Sequence, residues 1–354
     1  MISSTNTQLK HFAKAILLEK GFLALTLYDQ SQVSQQFSLE LNNTLKIHLW
    51  ARGVICIEPI AYVPADDIIL SCGIHGDETG PIEMLDDIVS LLLRQTLTLT
   101  HRILCIIGNP YSVAVQQRFI DENLNRLFGS SHCQSSSIES NRAAVLEYCV
   151  KYFFSMPRKK VVNRVHYDFH ASIRLSLYPQ FLVCPYRDGK PICRSVLSFF
   201  DQCNIKTVLL SNKPSGTFSY FTQHCCGAES LTVELGSVHP FGENNKSEFA
   251  LISKTLCQLI SGQLMLSNFD REIKFKIYSV KKELIKKSNE FSFNIKNDVK
   301  NFQSFPAGYP IVNDVDGGYC VKSQIEKIVF PNANVPIGQR AGLMVACDEV
   351  SGYE

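Results

Sequence analysis

Ile68-Ile-Leu-Ser-Cys-Gly-Ile-His-Gly-Asp-Glu-Thr-Gly-Pro-Ile-Glu83 is the stretch on which the reading of the whole chain turns. The apolar run Ile68 to Cys72 reads as a buried strand. It breaks at Gly73. His75 and Glu78 follow on the loop, and Gly76 is expected to let the backbone pass close to whatever those two side chains hold. Pro81 then opens a helix whose apolar positions Ile82, Leu85, Ile88 and Val89 share a face, proline being tolerated in the first turn. A histidine and a carboxylate at the end of a central strand sit where open α/β sheets place their ligands.

The flanking sequence has the same texture. Arg102-Ile-Leu-Cys-Ile-Ile-Gly-Asn-Pro110, Arg164-Val-His-Tyr-Asp-Phe-His170, Phe181 to Cys184, Thr207 to Leu210 and Leu231-Thr-Val-Glu-Leu-Gly236 read as further strands. Helical stretches are expected over 141–154, near 192–201 and over roughly 247–266. Alternating strands and helices predict an α/β core with a largely parallel sheet flanked by helices. Upstream, Leu9, Phe12, Ala13, Ile16 and Leu17 have helical spacing, and Asn42-Asn43-Thr44 between two alternating runs marks a hairpin. From about residue 270 the runs shorten, and turns such as Asp316-Gly-Gly appear, which predicts a small C-terminal β domain. The expected division is an N-terminal extension over 1–44, a catalytic domain over 45–268 and the β domain over 269–354.

Composition narrows the function classes. The 354 residues carry a formal net charge of +2 and 19% charged residues, which argues against a general nucleic-acid binder. No uninterrupted apolar run reaches the length of a membrane span, and Met1-Ile-Ser-Ser-Thr lacks the pattern of a secretory signal. The thirteen cysteines are odd in number and form no Cys-x-x-Cys pair, so reduced, often buried thiols and a cytoplasmic location are expected. The expected partner is a small molecule, with neither nucleic acid nor membrane involved; a homo-oligomer is compatible with the sequence.

Three strand ends carry titratable groups: His75 with Glu78, then His170, then Glu234. Two histidines and a carboxylate with an open fourth position make a catalytic zinc site, one ion per subunit. A separate carboxylate beside it can serve as general base and then acid. Each group alone has a plainer reading. A lone His-x-x-Glu is common, His170 alone reads as a hydrogen-bonded core histidine, and Glu234 alone as an end-of-strand carboxylate paired with a lysine. Their shared position where apolar runs end favours the site. His166, Asp168 and His170 alternate onto one face, so Asp168 can orient a ligating histidine, whereas His166 and Cys72 read as structural. Arg118-Phe-Ile-Asp-Glu-Asn-Leu-Asn-Arg126 crowds two arginines and two asparagines into nine residues. That is either an anion-binding segment or a solvated, salt-bridged helix start.

Taken together, Gly73-Ile-His-Gly-Asp-Glu-Thr79, Gly108-Asn-Pro110, Arg118 with Glu122-Asn-Leu-Asn-Arg-Leu-Phe128, Asp168-Phe-His-Ala-Ser-Ile-Arg174, Gly216-Thr-Phe-Ser219, Thr232-Val-Glu-Leu-Gly236 and Phe330 to Met344 resemble the succinylglutamate desuccinylase/aspartoacylase family of the zinc carboxypeptidase clan. The resemblance runs from about residue 45 to the end and is nearest to the desuccinylase branch. It implies a carboxypeptidase-like fold and zinc-dependent hydrolysis of N-succinyl-L-glutamate to succinate and L-glutamate, the last step of the arginine succinyltransferase route of arginine catabolism. It further implies that His75, Glu78 and His170 hold zinc, that Glu234 is the acid/base, that Arg118 polarises the scissile carbonyl, and that Asn125 and Arg126 hold the amino-acid carboxylate. A substrate with three carboxylates needs more cations, and Arg174 is the candidate. Where the aspartoacylase branch has a further arginine before the glutamate, His224 stands here. The alternatives are a deacylase of another N-acyl amino acid, a non-catalytic metal- or ligand-binding member of the fold, or a Cys/His nucleophilic hydrolase.

Overall fold

The computed structural model describes residues 2–28, 36–61, 63–129, 131–134, 136–157, 163–264 and 274–348. A thirteen-stranded mixed sheet is its spine. It begins with an antiparallel meander of β1 (Phe37–Leu41), β2 (Leu45–Ala51) and β3 (Val54–Pro59). Its parallel centre runs β5 (Arg102–Ile107), β4 (Asp67–Cys72), β6 (Arg164–Ser172) and β9 (Glu229–Ser237). Beyond β9 follow β7 (Gln180–Cys184), β8 (Thr207–Leu210), β10 (Lys276–Ile285), β16 (Arg340–Asp348), β15 (Glu326–Val329) and the short β12 (Gln303–Ser304). A separate three-stranded sheet joins β11 (Ser292–Phe293), β13 (Pro310–Asn313) and β14 (Tyr319–Cys320).

The central strands are buried on both faces, as parallel strands covered by helices must be. Every residue of β4 and β5 is buried. Ile68, Leu70 and Cys72 face a core shared with α1 (Ile2–Lys20), α2 (Phe22–Leu27), α3 (Thr79–Leu93), α6 (Arg194–Gln202) and α8 (Lys246–Ile260). Ile69, Leu104 and Ile106 face a second core under α5 (Ile138–Ser155) and α7 (Phe218–Cys226). The short α4 (Pro110–Ala114) follows β5, with Asn109 as its cap. The Asn42-Asn43 turn has φ of 45° and 56°, the left-handed pair that a tight hairpin requires.

The sheet runs unbroken across the expected boundary at 44/45, since β1 pairs with β2 and Ala13, Ile16 and Leu17 join the main core. The boundary expected at 268/269 lies outside the described residues, and the helix expected over 247–266 ends at Ile260, followed by a turn at Ser261 and Gly262. The C-terminal strands continue the main sheet through β8 and β10, sealed by a seam that includes Phe181, Leu209, Tyr278, Phe302 and Leu343. None of the thirteen cysteines, all among the described residues, is in a disulfide, and six of them are buried. Among the described residues, no helix is long and apolar enough to cross a membrane.

Two local expectations change. The helix after the His75 loop starts at Thr79, so Pro81 is its third residue rather than its first. That costs nothing in hydrogen bonds, because the first four N–H groups of a helix lack intrahelical partners. Gly76 does pack tightly, but against backbone: a Cβ there would lie 2.1 Å from the carbonyl carbon of Ser112. The glycine seats the ligand loop on α4 rather than admitting a bound group.

Candidate metal and catalytic site

The carboxyl ends of β4, β6 and β9 lie side by side, and each delivers one part of the site. The β4–α3 loop brings His75 and Glu78, β6 brings His170, and β9 brings Glu234, which stands directly opposite His170 in the register. His75, Glu78 and His170 are 3%, 2% and 2% exposed, so their charges must be met by one another or by a bound ion. One ligand atom from each can be chosen so that all lie within 4.8 Å of one another.

Hydrogen bonds fix how these groups point. His170 Nε2 lies 2.9 Å from Asp168 Oδ2, and His75 Nε2 lies 3.0 Å from Asn123 Oδ1. A carboxylate only accepts, and Asn123 Oδ1 already accepts the Asn125 N–H at 2.9 Å, so both Nε2 atoms donate. The nitrogens left free to bind a metal ion are therefore the two Nδ1 atoms, and both converge on Glu78: His75 Nδ1 is 2.8 Å from Oε1 and His170 Nδ1 is 2.8 Å from Oε2. In neutral rings these are lone pairs aimed at a carboxylate, an arrangement that needs a proton or a cation between them. The donor set of two imidazoles and one carboxylate matches a catalytic zinc site. His170 without a metal takes the proton: burial disfavours its charge, but Asp168 and Glu78 outweigh burial and raise its pKa. Burial and the Arg118 guanidinium lower His75 to about 4. Burial would raise Glu78, yet its two histidine partners hold it well below the usual carboxylate range.

Arg118 Nη1 donates to Glu78 Oε1 at 2.9 Å and leaves its other N–H groups facing the cavity. Glu234 is 8% exposed and accepts from Ser172 Oγ at 2.9 Å. Burial, reinforced by Glu78, pushes its carboxyl up to about 7 against the pull of His170, Ser172 and Arg118. A base poised near neutrality suits proton transfer in both directions. Asn125 is buried, accepts the Phe218 N–H at 2.9 Å through Oδ1, and lines the cavity beside Arg126. Arg174 also reaches the cavity, but it donates to the carbonyls of Pro331 at 2.6 Å and Asn297 at 2.5 Å, tying β6 to the C-terminal unit. His166 bonds Ser71 and Thr222, as a structural histidine would. His224 stacks on Tyr220 and does not line the cavity.

The Arg118–Arg126 segment is not a helix start but a loop ending in a single 3₁₀ turn over Leu124–Arg126. It is held from below by Glu139, which is fully buried. The Glu139 carboxylate accepts the N–H groups of Ile120 at 2.7 Å, Asp121 at 3.1 Å and Glu122 at 3.3 Å, and the Asn109 amide at 3.0 Å. No sequence motif marks Glu139, and Asn123 stands within the motif from Glu122 to Phe128 without a role, because both roles depend on where the loop folds back. Glu139→Ala removes the acceptor of four donors, of which the Asn109 amide is fully buried, so it should destabilise the fold by about 1–3 kcal/mol, the cost of one unsatisfied buried group, and raise KM. Urea denaturation with steady-state kinetics checks this; an unchanged KM would mean that the loop is held by other contacts.

Two buried histidines and a carboxylate at parallel strand ends form a group that could hold a metal ion, beside a raised carboxyl and an arginine-lined cavity of about 540 Å³, the site of a metal-dependent enzyme on an α/β sheet. Comparison with known proteins agrees. The succinylglutamate desuccinylase/aspartoacylase catalytic domain matches residues 64–260, and the AstE/AspA barrel-sandwich hybrid domain matches 273–348. A succinylglutamate desuccinylase of Shewanella pealeana is 39% identical over 330 residues, covering 92% of this chain and 94% of that protein. A crystal structure of the Vibrio parahaemolyticus protein of the same name superposes with a TM-score of 0.83 at 34% identity, over 93% of this chain and 95% of that one. That of Chromobacterium violaceum gives 0.81 at 32%, over 94% and 99%. The chain belongs to the succinylglutamate desuccinylase/aspartoacylase family.

Proposed function

We propose that this protein is a zinc-dependent amidohydrolase that cleaves N-succinyl-L-glutamate to succinate and L-glutamate, acting in the cytoplasm at the end of an arginine-degrading route. The observation that carries the reading is the convergence of the two Nδ1 atoms and Glu78, with Glu234 beside them on the same cavity lining. Relatives named for this activity over nearly the whole chain support the choice of substrate.

Zinc held by His75, Glu78 and His170 would supply Lewis acidity and an activated water near neutral pH. Asp168 and Asn123 keep both imidazoles turned with Nδ1 inward. Glu234 takes a proton from the attacking water and returns it to the amide nitrogen, so that L-glutamate leaves as a neutral amine. The cavity-facing N–H groups of Arg118 meet the oxyanion that develops on the succinyl carbonyl. Asn125 and Arg126 hold the carboxylate of the amino-acid half, with Arg126 offering a planar fork.

The test is a panel of N-acyl amino acids at matched concentration, N-succinyl-L-glutamate and N-acetyl-L-aspartate among them. Preference for the succinyl compound by about 100-fold or more in kcat/KM is expected, the scale of losing one well-placed charged contact. Preference for N-acetyl-L-aspartate would move the assignment to the aspartoacylase branch.

A further inference from the structure

Four arginines line the catalytic cavity: Arg118, Arg126, Arg174 and Arg340. Arg118 has one donor engaged by Glu78 and is assigned to the oxyanion, and Arg174 has two donors engaged by carbonyls. Among the described residues, Arg126 donates only to the Asn125 carbonyl, at 2.8 Å. Arg340, at the start of β16 opposite Ile285, makes no side-chain hydrogen bond or ion pair to any described residue. The nearby Glu283 is already paired with Lys213. Arg126 and Arg340 stand on a wall common to the catalytic cavity and a second chamber of about 380 Å³.

Two guanidinium groups on one cavity wall repel one another, and an anion between them relieves that repulsion. Lost solvation in the cavity wall, then repulsion from Arg340 and Arg118, lower the pKa of Arg126 to about 9, although its side chain is still reached by solvent. The backbone that carries Arg126 is fixed: a Cβ on Gly216 would lie 2.2 Å from the Arg126 carbonyl oxygen, and Phe128 N–H donates to the Gly216 carbonyl at 3.1 Å. The pair is therefore a built site for more than one negative group. The two carboxylates of one glutamate are joined by a short chain, a spacing that suits neighbouring guanidinium groups.

We propose that Arg340 determines specificity for the amino-acid half of the substrate, receiving the side-chain carboxylate of glutamate while Arg126 holds the α-carboxylate. This rests on the substrate reading above. It gives the C-terminal β unit a direct part in recognition, with the glutamate side chain directed toward the second chamber.

The test compares wild type, Arg340→Met and Arg340→Lys on N-succinyl-L-glutamate, N-succinyl-L-norvaline and N-butyryl-L-glutamate. Norvaline lacks the side-chain carboxylate, and the butyryl compound lacks the carboxylate of the acyl tail. Arg340→Met should lower kcat/KM by roughly 10- to 100-fold on both glutamate compounds, the scale of one charge-assisted contact, and leave N-succinyl-L-norvaline within about 3-fold. Arg340→Lys should recover part of the loss. A loss that persists on norvaline and vanishes on the butyryl compound would assign Arg340 to the acyl tail and overturn the proposal; an equal loss on all three, or none, would also overturn it. Calorimetry of L-glutamate and L-norvaline binding gives a readout independent of turnover: only glutamate should weaken in Arg340→Met. If wild type does not hydrolyse N-succinyl-L-glutamate, the substrate reading fails, and the calorimetric comparison still decides the role of Arg340.

Discussion

Glu234→Gln keeps the metal and loses turnover by roughly 10²- to 10⁴-fold, the range of a positioned general acid/base. Glutamine has the shape of glutamate and still accepts from Ser172 Oγ, so the fold around β9 is undisturbed. It cannot take a proton from water near neutral pH. The loss should fall in kcat, with metal content by mass spectrometry unchanged. Near-normal kcat would remove Glu234 from the chemistry.

The same substitution has an opposite effect on stability. Burial raises the Glu234 carboxyl from 4.5 to about 7 in the folded, metal-free protein. A carboxyl raised on folding contributes its stability in full below its unfolded pKa and loses it as pH climbs through the folded one. At pH 8 the ionised group costs up to about 3 kcal/mol, at 1.36 kcal/mol per unit. Glutamine never ionises. Metal-free Glu234→Gln should therefore melt higher than metal-free wild type at pH 8, with the gap closing by pH 5. A gap independent of pH would contradict the raised carboxyl.

His170→Ala is the second large effect, and it acts through both metal and fold. On the proposed assignment the variant should lose one of three ligands and with it the ion, and hydrolysis should fall to background. It also leaves two buried carboxylates, Asp168 at 2.9 Å and Glu78 at 2.8 Å from the missing ring, without their cationic partner. Removing one member of a buried ion pair costs about 3–5 kcal/mol. Metal analysis and thermal melting should move together. Full metal content with normal turnover would mean that the ion sits elsewhere.

The strand ends were legible because β4 is a nearly continuous apolar run that stops just before His75, and β6 alternates apolar residues with His166, Asp168 and His170. His75, Glu78, His170 and Glu234 could be singled out for that reason, and Asp168 by its alternation with His170. Which nitrogen of each histidine faces inward could not be read, since it depends on Asn123 and Asp168 approaching from outside the ring. Nor could Glu139, whose bonds to Ile120, Asp121 and Glu122 exist only once the loop folds back over α5. Arg174 could be placed at the cavity but not given its partners, because Pro331 and Asn297 are contributed by the distant C-terminal unit. Arg340 was hidden for the same reason. Short strands at the end of a chain suggest a separate small domain, and nothing local reveals that β10 extends the main sheet from β8.

The most direct measurement is release of L-glutamate from N-succinyl-L-glutamate by the purified protein, before chelation, after it, and with zinc restored. Turnover that disappears with the metal and returns with zinc is the expected result. Turnover that survives complete metal removal, verified by elemental analysis, would contradict the assignment of His75, Glu78 and His170 as the centre of the chemistry.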